Sequence, residues 1–218
     1  MSQQYYPLPL PRSGKIRYIL HLADLHIRSG VENNTEHCTR FKEYAGVFER
    51  LCNFVRDRKE DNMVVCIAGD VLHDNKKMGA SCVALFYKHL ILPLAVHVPV
   101  YIICGNHDYN QASIESQDLL DALCKPLAHT HPNVCYLRET GLYRANNVVF
   151  GVLAIQSVLR AGNTHGAVDE LPPFPVHDKE DDTATRVALF HGDVFQSYPI
   201  HKIIGEEGDK PRYDIAML

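Results

Sequence analysis

Three mainly apolar runs that each end abruptly in Asp, Asn or His side chains constrain the fold of this chain most. The clearest is 98–104, a run of β-branched and aromatic residues followed by Gly105-Asn106-His107-Asp108. Because the run does not alternate between apolar and polar residues, it predicts a strand buried on both faces. The same design occurs twice upstream: 17–23 runs into Asp24-Leu25-His26, and 63–68 runs into Gly69-Asp70-Val71-Leu72-His73.

Helical periodicity between these strands predicts an α/β fold with a largely parallel sheet. Apolar residues recur at three- and four-residue spacing over 39–58, and further helices are expected over 81–92, closed by Pro93, and over 113–124, capped by Ser113. Strand and helix alternate as they do in right-handed βαβ crossovers. The carboxyl ends of such strands meet at one edge of the sheet, so the Asp, Asn and His residues are expected to converge there.

The second half of the chain predicts a second, partly antiparallel sheet packed against the first. Short β segments are expected at 134–137, 142–145, 147–155, 186–190 and 213–218, with a long surface loop over 156–185. The strand at 186–190 would deliver His191 to its carboxyl end. The Pro-rich residues 1–14 are expected to form an N-terminal arm or edge extension, which leaves 15–218 as one domain.

Composition and charge narrow the class of protein. With 22 Lys and Arg against 26 Asp and Glu, the net charge of −4 argues against a simple electrostatic wrap around a polyanion, although a local basic face stays open. Seven cysteines without a C-x-x-C pair indicate buried free thiols in a reducing compartment. No signal core and no apolar run of ~18 residues is present, so we expect an intracellular protein without a membrane span.

The residue types at the expected sheet edge suit a site for two divalent metals. Asp, His and Asn offer oxygen and imidazole nitrogen, the ligands of Mn²⁺, Fe²⁺ and Zn²⁺. Asp70, central among the strand ends, is the natural bridging carboxylate. Two such ions can hold and deprotonate a bridging water, neutralise phosphate oxygens and align an in-line attack on phosphorus. His107 could then donate a proton or a hydrogen bond to the developing charge.

These blocks resemble the calcineurin-like metallophosphoesterase superfamily. Its first four blocks are matched in family order by Asp24-Leu25-His26, Gly69-Asp70, Gly105-Asn106-His107-Asp108 and His191-Gly192. The resemblance implies a four-layer α/β/β/α sandwich with two mixed sheets. It also implies the following roles: Asp24 and His26 bind a first metal, Asp70 bridges, Asn106 and His191 bind a second metal, His107 is catalytic, and Asp108 orients His107.

Within the superfamily, 21–26 and 69–76 resemble the SbcD-type DNA double-strand-break-repair nucleases. That resemblance implies Mn²⁺ as the metal, with Fe²⁺, Zn²⁺ or Mg²⁺ as alternatives, and exo- or endonuclease activity on DNA. It also implies an SMC-like ATPase partner and is compatible with a homodimer. His73 would then contact DNA or a leaving group, or merely close its loop. Arg28, Lys76 and Lys77 would meet phosphates, with solvated surface as the alternative.

The chain departs from the family pattern at its end. The fifth block, Gly-His-x-His or a variant, would follow the strand at 213–218, and no residue follows Leu218. We therefore expect either a fragment of a longer protein or a chain whose site is incomplete, in both cases a domain without this metal-binding block and any capping domain. This chain alone is expected to bind metal weakly and to have low activity. Two other functions stay open: a metallophosphatase or phosphodiesterase that acts on small phosphoesters and leaves DNA intact, and a non-catalytic scaffold of the same fold.

Overall fold

The computed structural model describes residues 4–28, 34–74, 78–109, 118–157, 173–176, 183–195 and 212–214, with the backbone alone at 34–39, 193–195 and 212–214. The strands are β1 (Tyr5–Pro7), β2 (Tyr18–Leu22), β3 (Met63–Ala68), β4 (Val100–Ile103), β5 (Val134–Tyr136), β6 (Gly141–Ala145), β7 (Val148–Leu153), β8 (Thr185–Phe190), β9 (Asp193–Phe195) and β10 (Arg212–Asp214). The helices include α1 (Asn34–Asp57), α2 (Ala80–Ala84), α3 (Leu92–Ala95) and α4 (Leu119–Thr130), with a 3₁₀ turn at Lys59–Asp61 and a π-helical stretch, Leu85–Ile91, that joins α2 to α3.

The first sheet has the strand order β2-β3-β4-β5, and every pair in it is parallel. All residues of β3 and β4 are buried. Because side chains alternate along a strand, Val65 and Ile67 of β3 face the helices, whereas Val64 and Cys66 face the second sheet. The expected parallel strands with two buried faces are therefore confirmed. The expectation that 134–137 belongs to the second sheet was wrong: this segment forms β5 at the edge of the first sheet, because α4 connects it to β4 and so permits parallel pairing.

The second sheet has the order β1-β6-β7-β8 and is mixed, because β6 and β7 form an antiparallel hairpin between two parallel pairs. It packs on the first sheet through residues such as Phe150, whose ring lies edge-on to Tyr101 at 5.4 Å between centroids. The two-sheet α/β sandwich is thus confirmed. Within the described strands the first sheet is parallel rather than mixed, since helices connect each of its strands to the next and so permit parallel pairing.

Two expected helix ends were wrong, and packing is the reason in both. The helix expected over 81–92 continues past Pro93 to the end of α3 at Ala95, because Leu94 and Ala95 are buried in the core. The fourth helix begins after Asp118, whose side chain accepts a hydrogen bond from the N–H of Asp121 at 2.6 Å, and it runs to Thr130 with Leu127 buried. The expected cap, Ser113, lies outside the described residues.

The N-terminal segment is attached to the second sheet as an edge strand. Strand β1 pairs with β6, and the Tyr101 hydroxyl donates to the carbonyl oxygen of Pro9 at 2.5 Å. The Asn147 side chain bonds both the N–H and the carbonyl of Ile16, at 2.8 and 2.9 Å. Of the two alternatives for this segment, the described part takes the edge extension. Most of the expected loop at 156–185 lies outside the described residues, as do 215–218.

Free thiols line the interior of the described part of the chain. Those of Cys52, Cys66, Cys82, Cys104 and Cys124 are buried, and Cys135 is partly exposed. This agrees with the expectation of unpaired, buried cysteines for the side chains that are described. None of the helices in the described ranges is long and apolar enough to cross a membrane.

Candidate metal centre

The loops that follow β2 and β3 run side by side beyond the sheet. The N–H groups of Asp24, His26 and Ile27 donate in turn to the carbonyl oxygens of Gly69, Asp70 and Val71, at 3.1, 2.9 and 2.8 Å. These bonds continue the pairing of the two strands, so the acidic and histidine side chains of both loops are held on neighbouring segments. The convergence expected from parallel strand ends is observed here.

The backbone of these loops adopts a conformation that L residues rarely take. Asp24, His26 and Asp70 have φ values of +54°, +44° and +49°. They are three of the five non-glycine residues with positive φ among those described, and the other two are asparagines. Such residues cost about 1–3 kcal/mol each and cluster at binding and catalytic sites, where the surrounding structure holds them in place. The strain therefore coincides with the predicted ligands.

Asp70 lies at the centre of the site and is 2% exposed. Its Oδ2 is 3.6 Å from Nε2 of His26 and 3.3 Å from Nε2 of His191, while its Oδ1 accepts the backbone N–H of His107 at 2.9 Å. Two imidazoles from different sheets thus approach one carboxylate oxygen. The arrangement matches the bridging position expected of Asp70.

Each of these imidazoles has a further oxygen partner. Oδ1 of Asp24 is 3.7 Å from Nε2 of His26, and Oδ1 of Asn106 is 3.1 Å from Nε2 of His191. We call Asp24, His26 and Asp70 the first donor set, and Asn106, His191 and Asp70 the second donor set. All five residues predicted as metal ligands are therefore brought together.

Electrostatics keeps the central carboxylate ionised. Burial alone raises the pKa of Asp70, but the hydrogen bonds from His191 and from the N–H of His107, together with the charges of both histidines, hold it below its usual value. Burial lowers the pKa of His26 and outweighs the attraction of Asp70, with His107 adding to the lowering. A neutral imidazole beside an ionised carboxylate is the protonation state in which these groups bind metal.

The first donor set fits a cation better than it fits internal hydrogen bonding. Nε2 of His26 is 3.6 and 3.7 Å from the two carboxylates, which is beyond hydrogen-bond length. One ligand atom from each of Asp24, His26 and Asp70 lies within 4.8 Å of the others.

The second donor set is oriented by the backbone. Nδ1 of His191 lies 2.9 Å from the carbonyl oxygen of Ala68, and because a carbonyl only accepts, Nδ1 carries the proton. Burial lowers the pKa of His191, but the hydrogen bond to Asp70 and the charge of that carboxylate outweigh burial and raise it. Nε2 therefore shares a proton with Asp70, and a bound cation would displace that proton. A carbonyl that holds the far nitrogen of a ligand histidine is a common support at metal sites. The residues present therefore fit two divalent cations that share Asp70.

Two glycines allow the close approach of the loops. A Cβ on Gly69 would lie 2.5 Å from the His191 ring, and the φ of Gly69 is +85°. A Cβ on Gly105 would lie 2.2 Å from both the backbone nitrogen and Oδ1 of Asp70. Glycine at these positions of the Gly-Asp and Gly-Asn-His-Asp blocks thus has a steric reason.

Replacing Gly105 with Ala is expected to displace Asp70 and to weaken Mn²⁺ binding at least about tenfold, as loss of support around a metal site does. Overpacking should also lower the free energy of unfolding by about 1–3 kcal/mol. Calorimetric titration with Mn²⁺ and chemical unfolding measure the two effects. Gly46→Ala is the matched control, since its Cβ meets only the Arg50 side chain at 3.7 Å. Wild-type Mn²⁺ affinity in Gly105→Ala would contradict the role of this contact.

His107 is held so that one nitrogen faces the site. Its Nδ1 lies 2.8 Å from the carbonyl oxygen of His73 and so carries a proton, which leaves Nε2 to exchange protons with a bound molecule. The His107 ring lies edge-on to His26 at 4.8 Å and stacks on His73 at 5.7 Å between centroids. The orientation of His107 among the described contacts thus comes from a backbone carbonyl.

Asp108 acts on the loop rather than on the His107 ring. Its fully buried carboxylate accepts the N–H groups of Val71, Leu72 and Gly105 at 3.2, 2.8 and 3.0 Å. Burial raises the pKa of Asp108 to about 6, although these three hydrogen bonds lower it. The resemblance implied that Asp108 orients His107, whereas its contacts brace the loop that carries Asp70.

The remaining predicted residues lie at the border of the site. Arg28 is exposed two residues after His26. The side chain of His73 is partly buried, and its Nδ1 has no hydrogen-bond partner among the described residues. Lys76 and Lys77 lie outside the described residues. Contact of these residues with phosphate stays a prediction.

One residue that supports the site was missed. The hydroxyl of Tyr44, on α1, donates to the carbonyl oxygen of His26 at 2.6 Å and lies 3.4 Å from that of Leu25. It therefore ties the helix to the strained turn that presents the first donor set. Its helical spacing assigned Tyr44 to the apolar stripe of the helix, and no local signal separates it from its neighbours in that stripe.

Replacing Tyr44 with Phe is expected to weaken Mn²⁺ binding about tenfold, because the turn at His26 loses its anchor. The free energy of unfolding should fall by about 1 kcal/mol, the usual loss for one hydrogen bond. Tyr87→Phe is the control, since its hydroxyl also donates to a carbonyl, that of Leu123 at 2.6 Å, away from the donor sets. Equal Mn²⁺ affinities in the two variants would show that Tyr44 serves stability alone.

Comparison with known proteins shows the family to which the chain belongs. Residues 17–213 match the calcineurin-like phosphoesterase family, and the chain belongs to it. The expected superfamily is thereby confirmed, divalent metals are the cofactors it uses, and the family indicates a hydrolase that acts on phosphoesters. The chain is also 28% identical over 186 residues, 83% of its length, to Uncharacterized protein R555 of Acanthamoeba polyphaga mimivirus, and it spans 12% of that relative's length.

Proposed function

We propose that this chain is a phosphodiester hydrolase that uses two divalent metals, with Mn²⁺ preferred, and that its substrate is DNA. The observation that carries the two-metal part is the position of Oδ2 of Asp70, 3.6 Å from Nε2 of His26 and 3.3 Å from Nε2 of His191. One ionised oxygen between two imidazoles, each with its own oxygen partner, supports a pair of cations that share a carboxylate.

When bound, two divalent cations neutralise phosphate oxygens and lower the pKa of water. The protein's own contribution begins with access to the site. The side chains of Asp24 and His26 are 56% and 32% exposed, whereas Asp70 and His191 are almost fully buried. A phosphodiester would therefore approach on the Asp24 side, with the second donor set behind it.

His107 would serve as the proton donor of the reaction. Its Nδ1–H is held by the carbonyl oxygen of His73, so Nε2 is the nitrogen that can give a proton to the leaving oxygen. The edge-on contact with His26 places the ring beside the first donor set. The loop bonds of Asp108 keep the two segments that carry Asp70 and His107 together.

DNA as the substrate is supported by sequence and charge. The block 69–76 resembles the SbcD-type nucleases, and Arg28 is exposed next to the first donor set. Two bound divalent cations would add four positive charges to a chain whose net charge is −4, which favours a polyanion at this edge. An SMC-like ATPase as the partner of the whole protein is part of the same proposal.

The test is cleavage of end-labelled single- and double-stranded DNA beside hydrolysis of p-nitrophenyl phosphate, each with Mn²⁺, Mg²⁺ or a chelator. We expect Mn²⁺-dependent DNA cleavage that the chelator abolishes. Hydrolysis of the small phosphoester with intact DNA would replace the proposal by a phosphatase. Bound Mn²⁺ without hydrolysis of any substrate would indicate a scaffold.

A further inference from the structure

A second group of possible ligands overlaps the first donor set. The imidazoles of His26, His73 and His107 each offer a nitrogen, and these nitrogens lie within 4.8 Å of one another. The ring centroids are 5.5 Å apart for His26 and His73, 4.8 Å for His26 and His107, and 5.7 Å for His73 and His107. We call these three residues the imidazole cluster.

The polar atoms of the imidazole cluster are incompletely satisfied. Nδ1 of His26 and Nδ1 of His73 are both buried and have no hydrogen-bond partner among the described residues. The proton on Nδ1 of His107 is taken by the carbonyl of His73, so the Nε2 lone pair of neutral His107 is available. Buried nitrogens without partners are costly, and a bound cation is one way to satisfy them.

The two ligand groups differ in the metals they favour. The first donor set contains two carboxylates and one imidazole, which suits Mn²⁺ and similar hard or borderline ions, whereas three imidazoles favour Zn²⁺ and Cu²⁺. Nitrogens at about 2.1 Å from one tetrahedral Zn²⁺ are about 3.4 Å apart. The nitrogens, up to 4.8 Å apart, would have to close by up to about 1.4 Å to hold one Zn²⁺.

We propose that the imidazole cluster is a separate, inhibitory site for an imidazole-preferring divalent cation such as Zn²⁺ or Cu²⁺, which competes with the first donor set for His26. The inhibitory part rests on the proposed function, since it takes His26 and His107 as working residues. A cation that binds one nitrogen of the His26 ring makes the other nitrogen a weaker ligand and repels a second cation in the first donor set, and it also occupies Nε2 of His107. Zn²⁺ or Cu²⁺ would therefore inhibit the hydrolysis that Mn²⁺ supports.

The test uses Cu²⁺ as the probe and electron paramagnetic resonance as the readout, since hyperfine coupling counts the nitrogens on the ion. We expect three nitrogens in the wild-type chain. His73→Phe should leave two and weaken Cu²⁺ binding at least about tenfold, with Mn²⁺ affinity unchanged because His73 is not in either donor set. Asp24→Asn should do the reverse, weakening Mn²⁺ and keeping the three-nitrogen Cu²⁺ signal.

Two further variants serve as controls. His129→Phe replaces an exposed histidine on α4 and should leave both metals unaffected. His73→Gln also removes the imidazole but keeps a polar side chain. Its unfolding midpoint shows whether the variant is folded. An unchanged nitrogen count and Cu²⁺ affinity in both His73 variants would overturn the proposal, as would equal weakening of Cu²⁺ by Asp24→Asn.

Failure of this proposal is distinguishable from failure of the proposed function. The spectroscopic test contains no substrate, so a chain that cleaves no DNA can still bind Cu²⁺ through three imidazoles. Where DNA cleavage is observed, Zn²⁺ added at constant Mn²⁺ should inhibit it, and His73→Phe should need about ten times more Zn²⁺ for the same fractional inhibition. Equal sensitivity to Zn²⁺ would overturn the inhibitory role.

Discussion

Replacing Asp70 with Asn is expected to lower the affinity of the chain for Mn²⁺ about 1000-fold and to abolish hydrolysis. Removing one partner from a buried charged arrangement costs about 3–5 kcal/mol, and about 1.4 kcal/mol corresponds to tenfold in affinity. Both donor sets lose their shared oxygen in a single substitution. No other ligand residue belongs to both sets, so no other single substitution among them should have so large an effect.

The amide cannot take over the position of the carboxylate in either orientation. With its nitrogen in place of Oδ2, it presents N–H groups rather than lone pairs toward His26 and His191. With its nitrogen in place of Oδ1, it faces the backbone N–H of His107, and two donors are then opposed. The first orientation leaves no lone pair for a cation at this position, and the second leaves two buried donors opposed, which adds to the loss.

Calorimetric titration with Mn²⁺ measures the affinity and the stoichiometry of Asp70→Asn. Asp118→Asn is the matched control, because Asp118 is equally buried but accepts hydrogen bonds from the N–H of Asp121 and the amide of Gln156. The control should lose stability and keep its Mn²⁺ affinity. Two Mn²⁺ ions bound to Asp70→Asn with near wild-type affinity would rule out the shared carboxylate.

Replacing His107 with Gln is expected to lower kcat about 10²- to 10⁴-fold, the usual contribution of a positioned proton donor. Mn²⁺ affinity should stay within a few-fold of wild type. The backbone N–H of residue 107, which holds Oδ1 of Asp70, is present in the variant, and the His107 side chain is in neither donor set. A loss in kcat with retained metal binding separates the chemistry from the assembly of the site.

Initial rates of DNA cleavage at saturating Mn²⁺ measure this effect. His131→Gln serves as the control, because His131 also has a hydrogen-bonded Nδ1, 2.8 Å from the Thr130 hydroxyl, but lies at an exposed position away from the site. Its rate should equal that of the wild type. If Mn²⁺ affinity in His107→Gln fell in parallel with kcat, His107 would belong to the metal centre instead.

Parts of the fold could be predicted because their signals are local. The runs at 63–68 and 98–104 are apolar on both faces, and both form buried strands of the first sheet. The carboxyl ends of the helices expected over 81–92 and 113–124 could not be predicted, because burial of Leu94, Ala95 and Leu127 extends these helices past the points where local signals end them. Tertiary packing outweighs propensity at such positions.

The hydrogen bonds that hold the site in place could not be predicted from the sequence either. Tyr44 has the spacing and the chemistry of a core residue, and only the folded chain shows its hydroxyl 2.6 Å from the carbonyl oxygen of His26. The resemblance implied that Asp108 orients His107. In the structure, the Asp108 carboxylate accepts hydrogen bonds from backbone N–H groups of two loops. Hydrogen bonds between segments far apart in the chain leave no periodic pattern.

The sequence by itself determined that the strands at 17–23, 63–68 and 98–104 lie in one parallel sheet and which Asp, Asn and His residues follow them, because strand period and turn residues are local properties. That 134–137 joins the same sheet was decided only by the tertiary structure. It could not determine that Nε2 of His191 lies 3.3 Å from Oδ2 of Asp70. The two residues follow strands of different sheets, and they are separated by 121 positions in the chain. Their distance is decided by how the two sheets stack, and that depends on packing of the core between them rather than on either segment alone.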